Sequence, residues 1–290
     1  MTKETKGMLI GFIGVLIFSL TLPLTRIAVQ EMTPFYLSFG RGVIAGVCGA
    51  LMLLVTQSPL PTKSQLKKLL ITAFCVVYGF PIFTSIAMKT LPSAHSGIVL
   101  GILPLASSAI GAIRFSERPS VGYWVSAICG TVLVLAYSMI DSGEGLAIGD
   151  IWLLMAILTA AIGYSEGGKL SEEMGAIKVI SWAVAITLPI NIPISYLFAN
   201  SALTDLSVNV LVSFLYLGVF SAFIGFFFWY KGIALGGVAR VGQVQLLQPF
   251  LTLICAYFLM GESITFLNLV FAIAVLLVVL IGKNTKIESK

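Results

Sequence analysis

Read for its polar interruptions, the chain resolves into long apolar runs separated by short breaks. A hydrocarbon core of about 30 Å takes roughly 20 apolar residues to cross as a helix. Runs of about that length lie near Met8–Ala28, Pro34–Val55, Leu69–Met88, Ser93–Phe115, Ser120–Ile140, Gly149–Leu170, Ile177–Ala199, Val208–Lys231, Val238–Met260 and Thr265–Ile281. The breaks carry turn chemistry, as in Ser58-Pro59-Leu60-Pro61, Leu91-Pro92-Ser93, Arg118-Pro119, Asp141-Ser142-Gly143, Ala199-Asn200-Ser201 and Gly236-Gly237. Several connections are a few residues long, so neighbouring helices must run antiparallel. The pattern predicts an all-α integral membrane protein of about ten transmembrane helices.

One pattern occurs twice. Val238–Ile281 holds two apolar runs joined by the polar break Gly261-Glu262-Ser263, and Ala94–Leu135 holds the same hairpin around Glu117. The two align without a gap at the offset that separates Glu117 from Glu262, which also superposes Pro104 on Pro249 and Gly97 on Gly242. Apolar matches are common in any membrane protein, whereas a mid-helix proline and a hairpin glutamate are not. The chain therefore reads as an internal duplication, residues 1–145 and 146–290, with five spans in each half. Five is odd, so the second half enters the membrane inverted. Two inverted repeats about an axis in the membrane plane are the architecture of secondary transporters, which open alternately to each side.

Composition and charge narrow the class. Hydrophobic residues make up 58% of the chain and charged residues 10%, with a mean hydropathy of +1.04, against about 25% charged in soluble domains. The net charge of +5 is the loop bias of a membrane protein, not a nucleic-acid footprint. With the N-terminus placed in the cytoplasm, Lys3, Lys6, Lys63, Lys67, Lys68, Arg114, Arg118, Lys169, Lys178, Lys231, Arg240, Lys283, Lys286 and Lys290 fall on the inner side. Only Arg26 and Lys89 fall outside, and Arg41 lies within the second span. Both termini are expected in the cytoplasm and the chain in the cell membrane. The N-terminal run is too long for a signal peptide and lacks a small-residue cleavage site, so it reads as a retained first span. Cys48, Cys75, Cys129 and Cys255 all sit in apolar runs, as small core residues do.

At the two hairpins the chain resembles the EamA branch of the drug/metabolite transporter superfamily. The residues that carry the likeness are Leu103-Pro104 with Ser116-Glu117-Arg118-Pro119-Ser120, and Gln248-Pro249 with Gly261-Glu262-Ser263-Ile264-Thr265. Ser116 stands where the second hairpin has Gly261, which makes the first turn less typical. The likeness covers nearly the whole chain and is weakest in the second and seventh spans. It implies alternating access, a cargo of amino acids, other metabolites or drugs, frequent operation as an exporter, and a central cavity lined mainly by spans 1, 3, 4, 6, 8 and 9.

The candidate residues follow from polar groups in apolar surroundings. Glu117 and Glu262 each precede a new helix, three residues before Ser120 and Thr265. A carboxylate there clamps its hairpin by meeting unpaired N–H groups, or it gates or couples an ion. Pro104 and Pro249 kink their helices, or free a carbonyl toward a cavity. Glu166, in Tyr164-Ser165-Glu166-Gly167-Gly168-Lys169, either pairs with Lys169 or serves cargo or a proton. Gln245 and Gln248 share a helix face and line a cavity or bond between helices. Tyr78, Phe83 and Tyr164 can wall an organic solute, and with Glu166 they can cage a cationic one. Ser19 and Thr21 offer hydroxyls to cargo or back to their own helix. His95, the single histidine, reads as an interfacial cap more than a proton site, and Arg41 as a structural residue with an internal partner.

Enzyme classes find little support: no HExxH, no zinc-type Cys/His set and no Walker A loop is present. No cofactor, metal or nucleic acid is expected. The partners are a small-molecule substrate and the lipid bilayer. Coupling to an ion such as H+ and the choice between monomer and homodimer stay open. The reading is a secondary transporter of small organic solutes, most simply an exporter of amino acids or related metabolites and drugs. The alternatives are an importer of a small, cationic metabolite, a passive channel and, furthest off, a membrane-bound transferase.

Overall fold

A computed structural model describes residues 2–114, 118–119, 121–142, 147–199, 205–237, 241–242, 244–284 and 287–288. The helices are α1 (Thr5–Ala28), α2 (Pro34–Val55), α3 (Lys63–Ala87), α4 (Ser93–Gly111, with helical turns continuing to Arg114), α5 (Val121–Ser142) and α6 (Ile148–Met174). They continue with the bent pair α7 (Ala176–Ala185 and Leu188–Leu197), then α8 (Val208–Gly236), α9 (Val244–Met260) and α10 (Phe266–Asn284). Among the described residues, α1 to α6 and α8 are long and apolar enough to cross a membrane, and α7 makes an eighth if its halves form one span. α9 and the apolar stretch Phe266–Val278 of α10 are shorter, so length alone supports seven or eight spans where the sequence pattern predicts ten. The halves of α7 meet at 45° because Pro189 opens the second half and Pro193 sits inside it, each without an N–H to donate.

The surface inverts that of a soluble protein. Leu54, Val55, Leu197, Phe258 and Phe266 are largely exposed, while Ser38, Thr72, Thr84, Ser96, Ser181 and Thr252 are buried. An apolar exterior over a polar-seeded interior suits lipid as solvent, with helices meeting through small residues. The α1–α8 seam is the tightest case. A Cβ on Gly232 would lie 2.8 Å from the backbone of Gly7 and of Gly11, so only glycine permits this approach. At the α4–α9 crossing, a Cβ on Gly101 would lie 3.1 Å from Pro249 Cγ.

Departures from α geometry recur in the two halves. α3 widens into π-helical turns at Phe74–Gly79, and α8 does so at Leu217–Ile224. α4 tightens into a 3₁₀ turn at Leu100–Ile102, just before Pro104, and α9 does so at Val244–Leu247, just before Pro249. The proline is the local cause of the second pair: its ring crowds the preceding turn and its nitrogen donates nothing. Packing recurs as well, with α1 against α8 and α6 against α3, α2 against α7, and α5 against α10.

Polar contacts tie the helix ends. At one end Lys68 Nζ meets Glu173 Oε1 at 2.6 Å, and Arg118 and Pro119 pair as a two-residue antiparallel strand with Glu288 and Ile287. At the opposite end the Glu31 carboxylate accepts from the Ser207 N–H at 2.8 Å, ahead of α8. His95, expected as an interfacial cap, instead bridges three helices. Its Nδ1 lies 2.6 Å from Asp141 Oδ2 of α5 and its Nε2 2.8 Å from Asp150 Oδ1 of α6.

Candidate functional site

A narrow cavity lies within the bundle, where α1, α2, α3, α4, α6, α8 and α9 converge. It measures about 10 Å³, room for roughly one water molecule. Its polar lining comes from Thr21, Arg41, Tyr164, Ser221 and Gln248, and its apolar lining from Phe18, Leu22, Phe80, Leu100, Leu103 and Phe226. The two departures from α geometry sit beside it. The π turns of α3 end next to Phe80, and those of α8 carry Ser221. Gln248 follows directly on the 3₁₀ turn of α9. Aromatic rings brace one wall: Phe18 lies 5.1 Å from Phe226 and Tyr164 lies 5.7 Å from Phe226, edge to face.

The polar side chains form a short chain across the two halves. Thr21 and Ser221 share a hydrogen bond of 2.8 Å, and Arg41 Nη2 donates to Ser221 Oγ at 3.3 Å. Arg41 is 2% exposed, and its Nε and Nη1 have no hydrogen-bond partner among the described residues. Gln248 Oε1 is likewise buried without a partner. Arg41, a charge at mid-span, is expected as a structural residue with an internal partner. The structure supplies only a serine hydroxyl, and it brings the guanidinium to the cavity wall. The signal available in sequence was a charge at mid-span. Ser221, one serine in an apolar run, gave no signal at all.

Of the other candidates, the cavity gathers Thr21, Tyr164 and Gln248. Ser19 donates back to Val15 O at 2.7 Å, inside its own helix. Tyr78 packs against Phe39 with centroids 5.6 Å apart, and Phe83 stacks on Trp152 at 5.7 Å, both away from the cavity lining. Gln245 is buried off the cavity, with neither amide atom partnered among the described residues. Glu166 does not pair with Lys169, which meets Glu172 at 2.7 Å. Its carboxylate forms an ion pair with Arg114 Nε, one helix over, and that pairing leaves no net charge for a cationic cargo.

Glu262 also differs from its expected role. Its carboxylate reaches across the sequence to the start of α4, where Oε1 accepts from the Ser93 N–H at 2.9 Å and from the Ser93 hydroxyl at 2.7 Å. Oε2 accepts from the Ala94 N–H at 2.7 Å. The start of α10 is capped without it, by Asn268 Oδ1, which accepts from the Thr265 N–H at 2.8 Å. Its counterpart Glu117 lies outside the described residues. Among the described residues no cluster of His, Cys, Asp and Glu could hold a metal ion.

Comparison with known proteins gives this geometry its context. The chain matches the EamA-like transporter family twice, over residues 5–139 and 147–281. It is 42% identical to the uncharacterized transporter YdeK of Bacillus subtilis over 279 residues, covering 96% of this chain and 97% of that one. It is 23% identical to a probable amino-acid metabolite efflux pump of Salmonella typhimurium, covering 92% of each. A crystal structure 19% identical in sequence superposes with a TM-score of 0.68 over 96% of both chains, a likeness of fold alone. On these matches, the chain is a multi-pass helical membrane protein that belongs to the EamA-like transporter family.

Proposed function

We propose that the chain is a secondary transporter that carries small organic solutes, amino acids or related metabolites, outward across the cell membrane by alternating access. In this reading ten spans form two inverted five-helix repeats, residues 1–145 and 146–290, with both termini in the cytoplasm. The observation that carries it is the central cavity, lined with polar groups from both halves and narrowed to about 10 Å³. No organic solute fits that volume in this conformation, so cargo enters only if the halves rearrange, as alternating access requires. The paired π and 3₁₀ turns and the double family match support the repeat, because the same flexible points then occur in both halves. The Salmonella typhimurium relative's name supports an amino-acid-like cargo and outward direction. Secondary transport needs no nucleotide domain, and proton coupling would require a titratable group at the cavity or along a path to it.

The test is flux through purified protein in liposomes loaded with a panel of amino acids and other metabolites. A carrier gives saturable exchange in which unlabelled solute inside accelerates entry of labelled solute. Flux that stays linear with concentration, without acceleration by solute on the far side, would contradict the proposal in favour of a passive channel.

A further inference from the structure

We infer that Arg41 is the carboxylate-binding residue of the central cavity, and that the cargo is a small solute with one free carboxylate and an apolar body. The inference rests on the transporter reading and names its substrate class. Arg41 lies in α2, 2% exposed, with one hydrogen bond to Ser221 and two guanidinium nitrogens unpartnered. Other buried ionic groups in the described residues have their counter-charge in the chain: Glu166 has Arg114, and His95 has Asp141 and Asp150. For Arg41 no carboxylate of the described residues stands within ion-pair distance. A cation held at membrane depth without a counter-ion is costly, so its retention at a cavity wall fits a partner that arrives with the cargo.

The lining sets the rest of the chemistry. The guanidinium fork matches the two oxygens of a carboxylate. One cation and no second among the lining residues matches a single carboxylate group; a phosphate dianion would leave a buried charge uncompensated, and the ammonium of a zwitterion needs an acceptor of its own. Gln248 Oε1, unpartnered on the same wall, can accept from an amino or hydroxyl group beside the carboxylate. Phe18, Leu22, Phe80 and Phe226 offer the remaining contacts to an apolar side chain. An amine without a carboxylate would face the Arg41 cation with nothing to offset it.

The experiment compares matched probes in exchange through purified protein in liposomes: leucine, methionine and phenylalanine, each with its amide and its decarboxylated amine, alongside glucose and a nucleoside. The acids should exchange at least about tenfold better than their amides and amines, the size of a lost charge-assisted pair. Arg41→Gln and Arg41→Met should abolish that preference, and Arg41→Lys should keep part of it. Amides or amines that exchange as well as the acids, or Arg41→Gln with wild-type half-saturation for an acid, would overturn the inference while leaving a working transporter. Exchange of none of the probes would count against the transporter reading itself, and thermal unfolding then decides Arg41 separately. Arg41→Met should melt at or above the wild-type temperature, and the acids should raise the melting temperature of wild type but not of Arg41→Met. A variant that melts well below wild type assigns Arg41 to the fold and removes it from the site.

Discussion

The Glu262 carboxylate sits across the first turn of α4 and takes both the N–H and the hydroxyl of Ser93, residues 169 apart in sequence. A helix N-terminus leaves unpaired donors and a positive dipole end, and a carboxylate answers both. The break between α9 and α10 is thereby pinned to the start of α4, whose later turns line the cavity.

Glu262→Ala should therefore destabilise the protein by about 2 kcal/mol, the loss of a capping carboxylate with charge-assisted bonds. Thermal or denaturant unfolding in detergent measures this, and Glu262→Gln should fall between the two. A variant of wild-type stability that no longer transports would assign the residue to gating.

The Arg114–Glu166 pair should respond unequally to its two deletions. Arg114 is 41% exposed and can turn to water, whereas Glu166 is 6% exposed and cannot. Glu166→Gln should cost under about 1 kcal/mol, and Arg114→Gln, which strands a buried carboxylate, about 3 kcal/mol. The double variant should recover most of the loss. Equal costs for the two single variants would place the carboxylate in contact with water.

His95 holds α4 to α5 and α6 through Asp141 and Asp150. His95→Phe keeps the ring but leaves two carboxylates facing it, one of them buried, so a loss of about 3–5 kcal/mol is expected in unfolding experiments. Near-normal stability would mean that water replaces the imidazole.

Gly232→Ala should push α1 away from α8, because the added methyl meets backbone atoms that cannot turn aside. The expected cost is about 1–3 kcal/mol with slowed transport. Unchanged stability and flux would show that the seam has slack.

The helices were legible because lipid as solvent demands long apolar runs, and Pro104 and Pro249 marked where two of them depart from regular geometry, though they read as kinks and not as tightened turns. The partners of the ionic groups were not. Glu262 looked able to serve its own hairpin, since sequence proximity favours the near helix, but Asn268 caps the start of α10 and the carboxylate goes to Ser93. Lys169 was the helical neighbour of Glu166, yet packing of α4 on α6 brings Arg114 closer. Arg41 was visible as a charge at mid-span; that no carboxylate of the described residues pairs with it is a property of seven converging helices, which no local pattern records. Thr21, Tyr164 and Gln248 were visible as polar groups in apolar spans. What separated them from Ser19, Tyr78 and Gln245 was the direction each helix turns them.

Alternating access requires one buried site reached from each side of the membrane in turn. Its most direct test places a cysteine at the cavity, Gln248→Cys, in a chain with Cys48, Cys75, Cys129 and Cys255 replaced, and follows its reaction with a membrane-impermeant thiol reagent. Labelling is expected from either side of the membrane, at rates that cargo alters, with no leak of the reagent through the protein. Reaction from one side only under every condition, or passage of the reagent across, would contradict it.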